Sequence, residues 1–114
     1  MTEGRGVVVE FVETSPNHFA VRGPLTFATA PGASGAGLRA LSASAPGPVE
    51  IDLSAVGSAD SAGLAVLLYW LAWARRNSRA LTFRSLPASI VALGSISDVD
   101  ELLAHGTGGT VTAG

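Results

Sequence analysis

Four segments of the chain have the hydrophobic pattern of β-strands. In three of them apolar residues alternate with polar ones, which is typical of a strand with one buried face, and the first is a nearly continuous β-branched run, VVVEFV. The predicted strands are Val7–Val12, His18–Arg22, Val49–Leu53 and Ala80–Arg84. The turn signal Ser15-Pro16-Asn17 separates the first two. We therefore expect these two strands to form an antiparallel hairpin.

The strongest helical signal runs from Ala62 to about Asn77. Leucines recur there at i, i+3, i+4 and i+7, the spacing of a helix that packs on a core, and two arginines in the last turn suit the negative end of the helix dipole. These leucines are Leu64, Leu67, Leu68 and Leu71. The helix lies between the third and fourth strands, and this β-α-β order predicts that they are parallel with a right-handed crossover.

Three weaker helices are predicted at Pro31–Ser42, Pro87–Leu93 and Asp98–Leu103. The first two have a proline in the first turn, where the missing N–H costs nothing, and we expect Thr29 and Ser85 to cap them. Three glycines disfavour the first helix, each by up to about 1 kcal/mol relative to alanine. The order of elements predicts an α/β fold, a single mixed sheet of about four strands with helices packed on it.

Length and charge narrow the range of functions. The chain has 114 residues, no cysteine and a formal net charge of −2 at pH 7. The absence of cysteine excludes disulfides, thiolate catalysis and cysteine zinc sites, and the seven arginines form no basic stripe for nucleic acid. The longest uncharged apolar run, 62–74, is much shorter than the roughly 20 residues that span a bilayer. We expect one domain at 7–105, with a flexible N-terminus at 1–6 that lacks the apolar core of a signal peptide, and a flexible Gly/Thr-rich tail at 106–114.

The junction DLSAVGSADSAGL, between the third strand and the long helix, carries the most informative residues. A helix N-terminus presents free backbone N–H groups and partial positive charge. Ser61 is therefore well placed to carry a phosphate or to meet an anionic group of a partner, and Ala62 and Gly63 would leave close access to the backbone. The alternative is that Asp60 or Ser61 merely caps the helix, which is a common arrangement.

The segment DLSAVGSADSAGLAVL resembles the signature of STAS domains, the fold of anti-sigma-factor antagonists. These domains show a D-L-S/T-x-V strand end, a short loop, and then D-S/T-x-G-L at the start of a helix. The resemblance extends from about Val7 to Leu103 and implies a STAS fold. It also implies that Ser61 matches the serine that a partner anti-sigma kinase phosphorylates in the antagonists, which switches partner binding.

Two further segments, GPLTFATA at 23–30 and LTFRSLP at 81–87, are similar to the small STAS subunit of the Mla phospholipid transporter. This resemblance implies a cytoplasmic accessory subunit that binds and regulates the ATPase of an ABC transporter. Through that ATPase it would lie beside the permease at the inner membrane and help to maintain outer-membrane lipid asymmetry. It also implies that Ser61 matters for the ATPase contact. The alternative is an anti-sigma-factor antagonist that is switched by phosphorylation of Ser61.

A second apolar stripe lies on the long helix opposite the leucines and continues from Ser61. An exposed apolar and aromatic stripe marks a partner surface, and tyrosine and tryptophan are enriched in binding hot spots. The alternative is that a loop or the first helix covers the stripe. Together, the start of the helix and the stripe form the predicted partner-binding surface: Asp60, Ser61, Ala62, Gly63, Val66, Tyr69 and Trp73.

No group of residues in the sequence points to catalysis. His18 and His105 are distant from Ser61 in sequence, and there is no G-x-S-x-G elbow, P-loop or H-E-x-x-H helix. Asp52 and Asp60 raise the question of a magnesium site, but two carboxylates in a loop are usually caps or solvated groups. We therefore expect a protein-binding module that is not an enzyme, takes no cofactor or metal, binds no nucleic acid and does not insert into a membrane.

Overall fold

The computed structural model describes residues 9–105, which form four strands and four helices. The strands are β1 (Glu10–Ser15), β2 (His18–Arg22), β3 (Val49–Ala55) and β4 (Leu81–Arg84). The helices are α1 (Ala30–Ser42), α2 (Ser61–Arg76), α3 (Ala88–Ile96) and α4 (Asp100–His105). The predicted N-terminal segment 1–6, the first two residues of the predicted first strand and the predicted tail 106–114 lie outside the described residues.

The strands form one mixed sheet in the order β1-β2-β3-β4. β1 and β2 are antiparallel, whereas β2 with β3 and β3 with β4 are parallel. This confirms the hairpin, the parallel β-α-β pair and the mixed four-stranded sheet. Val9, part of the predicted first strand, lies outside β1, which begins at Glu10. β1 continues to Ser15, three residues beyond its predicted end, because the turn is only two residues long. Asn17 adopts a left-handed φ of 61° there and donates its backbone N–H to Glu13 Oε2 at 3.0 Å.

The apolar sides of the strands and helix α2 form the core. Along β3 the alternating residues Val49, Ile51 and Leu53 are buried, as the period-two pattern predicts. The Trp70 ring of α2 packs edge-on against Phe11 of β1, with ring centroids 5.1 Å apart. On the other side of β3, Glu50 accepts a hydrogen bond from Arg84 at 3.1 Å, so this side of the sheet carries charged groups.

Helix α1 contains three glycines that disfavour a helix, but it packs against α2, and one of the glycines makes this packing possible. A Cβ at Gly37 would overlap the indole ring of Trp70, and the Trp70 Nε1 donates to Ser34 O of the same helix at 3.4 Å. The glycine therefore lets α1 lie close against α2. In the sequence this residue looked only like a helix breaker, because its partner is 33 positions away in the chain.

Neither of the two predicted hydroxyl caps is formed. Thr29 occupies the N-cap position of α1, but its side chain caps nothing there and donates instead to Pro24 O at 2.8 Å. Pro87, not Ser85, precedes α3. Ser85 has a φ of 59°, which belongs to the turn that leaves β4. The last helix begins two residues later than predicted, because Asp98 has a left-handed φ of 64°.

Candidate functional site

Asp60 fixes the start of α2 with both oxygens of its carboxylate. Oδ1 accepts the backbone N–H groups of Ala62 at 2.9 Å and Gly63 at 3.2 Å, which is the geometry of an N-cap. Oδ2 accepts the N–H of Phe27 at 3.1 Å, from the loop between β2 and α1. The capping alternative is therefore confirmed for Asp60, and its side chain is committed to holding two segments together.

The hydrogen bonds to Asp60 stabilise its charged form. The N–H of Phe27 contributes most to holding the pKa of the Asp60 carboxyl below its ordinary value of 3.8, and those of Gly63 and Ala62 add to it. Loss of solvent around the carboxyl acts in the opposite direction and is outweighed. The carboxylate thus stays ionised at neutral pH, in a place where the helix dipole also favours negative charge.

Gly63 allows α2 to approach the β2–α1 loop closely. A Cβ at this position would overlap the carbonyl oxygen of Leu25. The same Leu25 donates its N–H to Ser58 O at 2.8 Å and accepts from Asp60 N at 3.3 Å. Gly63 is buried, so the expectation that it leaves the backbone open to a partner is wrong: the chain's own loop occupies that space.

Ser61 is an exposed polar residue at the start of α2, as Ser54 and Ser58 are in the loop before it. It is the first residue of α2 and is exposed, whereas Ala62 behind it is half-buried and Gly63 is buried. The N–H groups of Ala62 and Gly63 already bond to Asp60, so they are not free donors for an anion. What Ser61 offers to a partner is a hydroxyl on a rigid helix end, beside a fixed negative charge.

The predicted aromatic stripe is mostly buried. Val66 and Trp73 are 4% and 7% exposed and belong to the core, so the expectation that they form an exposed surface is wrong. Helix α1 packs against α2, and the guanidinium of Arg79 covers the Trp73 ring at 5.5 Å from its centroid. Tyr69, which is 42% exposed, is the large residue of the stripe that stays accessible.

The solvent side of α2 is apolar along most of its length. We call this side the exposed face of α2. From the helix start it presents Ser61, Ala65, half-buried Leu68, Tyr69, half-buried Ala72 and Arg76. A helix face turned to solvent normally carries charged or polar residues, and here the first charge comes in the last turn. The structure therefore places an apolar surface next to Ser61, rotated from the stripe that the sequence indicated.

Phe27 is a surface residue that bonds to Asp60, the residue before Ser61, and sequence reasoning gave it no role. Its side chain is 82% exposed, and its backbone N–H is the one bound by Asp60. The signal was present in the sequence, because a phenylalanine lies in the short segment between the Gly23-Pro24 strand end and the first helix. Nothing in the sequence showed that this segment meets the start of α2.

Asp52 and His18, which the sequence raised as candidate metal-binding or catalytic residues, contact neighbouring residues of the loop and the sheet. The Asp52 carboxylate accepts from the N–H and the hydroxyl of Ser54, two residues along. No group of three or more potential metal ligands occurs within residues 9–105. His18 Nε2 lies 4.0 Å from Glu50 Oε1, on the strand surface away from α2. Within the same residues no helix is long and apolar enough to cross a bilayer.

The fold described above agrees with a family-model match. The model described as "Mlab, STAS domain" matches residues 12–104. The chain belongs to the MlaB-type STAS domain family. STAS domains are generally non-catalytic and mediate protein–protein interactions. No curated protein matches the sequence.

Two solved structures share this STAS fold. One is a sulfate transporter family protein from Wolinella succinogenes, 15% identical, with a TM-score of 0.59 over 76% of this chain and 70% of that one. The other is the anti-sigma factor antagonist SpoIIAA in its unphosphorylated form, 10% identical, with a TM-score of 0.60 over 90% of this chain and 89% of that one. At such identities the likeness concerns the fold.

Proposed function

We propose that this STAS domain is a non-catalytic cytoplasmic accessory subunit that binds and regulates the ATPase of an Mla-type phospholipid ABC transporter. The observation that carries the proposal is the exposed Ser61 at the rigid start of α2, continuous with an apolar helix face. The match to the MlaB-type family model supports the choice of partner. The chain would lie at the inner membrane through the ATPase and its permease.

The mechanism follows from a surface that has no chemistry of its own. The small side chains Ser61 and Ala65 allow a partner helix or loop to approach α2 closely, and the apolar face excludes water from the contact. Such a subunit changes ATPase activity only by binding one state of the ATPase more tightly than another. Direct partner contacts are proposed for Ser61, Ala62 and Tyr69, and an indirect role is proposed for Asp60. Asp60 bonds to the β2–α1 loop and to the first turn of α2, and so fixes the position of one relative to the other.

Affinity purification of the tagged chain from detergent-solubilised cells of its own source tests the proposal. We expect an ABC ATPase and its permease in fixed ratio, together with an unmodified Ser61 peptide by mass spectrometry. Recovery of a soluble kinase with a phosphate on Ser61 would overturn the proposal. That result would establish the second candidate.

The second candidate is an anti-sigma-factor antagonist that is switched by phosphorylation of Ser61. Two observations favour it: the fold is shared with SpoIIAA, and the Ser61 side chain is exposed. A phosphate adds about −1.5 to −2 charges at neutral pH. Beside the ionised Asp60 it would place several negative charges at one helix end, which repels an acidic partner surface.

A further inference from the structure

Two large apolar side chains of the described residues are almost fully exposed, and only one of them lies on a rigid platform. Phe27 and Ile96 are each 82% exposed. Ile96 is the last residue of α3, where helix ends commonly fray. Phe27 lies in the loop between β2 and α1, within bonding distance of the residue that caps α2.

The loop that carries Phe27 is held at both sides by hydrogen bonds. On one side the buried Thr29 hydroxyl donates to Pro24 O at 2.8 Å and accepts from Thr26 N at 3.0 Å. On the other side Leu25 pairs with the loop before α2, and Asp60 holds the N–H of Phe27 at 3.1 Å. The backbone under the exposed ring is therefore fixed before any partner arrives.

A rigid, exposed aromatic ring has the physical properties of a binding anchor. Burying a phenylalanine side chain removes a large apolar surface from water, which favours binding, and a preformed backbone avoids the cost of ordering a loop on binding. Ser61, which follows Asp60 in the chain, and Ala65, about one turn further along α2, are small and exposed. An exposed ring whose backbone is bound to the start of a helix with small exposed side chains fits a partner with an apolar pocket beside a flat contact.

We infer that Phe27 is the apolar anchor of the Ser61 surface and inserts into an apolar pocket of the same ATPase subunit. The inference rests on the proposed function for the identity of the partner. Its own content is that one surface combines two segments, the β2–α1 loop and the start of α2. Asp60, which bonds to both, sets the position of the ring relative to Ser61.

Binding of the purified ATPase subunit to Phe27→Ser and Ile96→Ser variants tests the anchor. The two wild-type side chains are exposed to the same fraction, so each variant truncates a large, exposed apolar side chain. We expect Phe27→Ser to weaken binding by at least about tenfold, the loss typical of a hot spot, at an unchanged melting temperature. Ile96→Ser should bind like wild type, and Phe27→Leu should recover most of the affinity. Wild-type affinity in Phe27→Ser, or an equal loss in Ile96→Ser, would overturn the inference.

Photo-crosslinking in cells separates failure of the inference from failure of the proposed function. A benzophenone amino acid is placed at Phe27, Ala65 or Ile96 of the full chain, and each adduct is identified by mass spectrometry. Adducts with the ATPase at Phe27 and Ala65, and none at Ile96, support both proposals. The same non-ATPase protein at Phe27 and Ala65 contradicts the proposed function and keeps the shared surface. An adduct at Ala65 without one at Phe27 overturns the inference, and no adduct at any position overturns both.

Discussion

The start of α2 and the aromatic stripe along the same helix carry similar signals in sequence, and the fold treats them differently. At the start, Asp60 and Gly63 are used to attach the helix to a loop, and Ser61 is left exposed. Along the stripe, Val66 and Trp73 are drawn into the core. Val66 and Trp73 are buried because other segments of the chain pack over their side of α2. Ser61 stays exposed because Asp60 caps the helix and fixes Ser61 as its first residue.

The largest expected effect is a difference in the free energy of unfolding between alanine variants of Trp73 and of Tyr69, which lies four residues earlier on the same stripe. Truncating a buried tryptophan leaves a cavity, so Trp73→Ala should lower the free energy of unfolding by about 3–5 kcal/mol. Tyr69→Ala should lower it by about 1 kcal/mol or less, because Tyr69 lies at the surface with 42% of its area exposed and is not part of the core. Chemical denaturation of both variants measures the difference.

A milder variant keeps this comparison measurable if Trp73→Ala does not fold. Trp73→Phe retains a ring under the Arg79 guanidinium and should lose less stability than the alanine variant. Equal stability losses in Trp73→Ala and Tyr69→Ala would show that the stripe is not divided between core and surface, and would contradict the structure.

The next effect contrasts two glycines. Gly63→Ala forces a Cβ against the Leu25 carbonyl oxygen, and overpacking of this kind typically costs about 1–3 kcal/mol. Gly32→Ala in α1 meets nothing within 4 Å and should raise stability by up to about 1 kcal/mol, since alanine favours a helix. Thermal melts of the two variants should therefore shift in opposite directions. A stabilised Gly63→Ala protein would contradict the close approach of loop and helix.

A smaller effect concerns the pH dependence of the Asp60 cap. The pKa of Asp60 in the folded protein lies below its ordinary value of 3.8. The folded state therefore gains stability from the charged carboxylate above pH 3.8, and loses it as the pH falls through the folded-state pKa. Asp60→Asn keeps an oxygen acceptor but has no charge. Its stability deficit relative to wild type should be present at neutral pH and shrink on acidification below pH 3.8.

A pH-independent deficit in Asp60→Asn would show that the charge of Asp60 contributes nothing. Denaturant midpoints of both proteins between neutral and acidic pH give this difference directly. The comparison with wild type cancels the titration of all other carboxylates, because they are common to the two chains.

Local patterns in the sequence were sufficient to predict the elements of the fold and their pairing. Alternation along VEIDL, the leucine spacing of α2 and the short turn before His18 depend on neighbours in sequence, so β3, α2 and the antiparallel pairing of the hairpin were predicted correctly. The bounds of β1 were not, because it extends three residues beyond its predicted end. The helix bounds differ by one to three residues, and at the starts of α1, α3 and α4 a proline or a left-handed residue lies at the boundary.

The features that sequence reasoning missed depend on contacts between distant segments. Phe27 became a site candidate only because its loop meets Asp60, 33 residues away. Trp73 was predicted to be exposed but is covered by the guanidinium of Arg79. That guanidinium donates hydrogen bonds to the carbonyl oxygens of Gly47 and Ala45, each at 2.7 Å. Periodicity along α2 identifies apolar faces, but it does not show which of them the rest of the chain covers.

Titration calorimetry with the purified ATPase subunit tests the central claim, that the Ser61 end of α2 is the ATPase-binding surface. Ser61→Asp is compared with Ser89→Asp, because both serines are exposed and lie in the first turn of a helix. The account predicts that Ser61→Asp weakens binding by at least about tenfold, at a wild-type melting temperature, and that Ser89→Asp binds like wild type. Wild-type affinity in Ser61→Asp, or the same loss in Ser89→Asp, would contradict it.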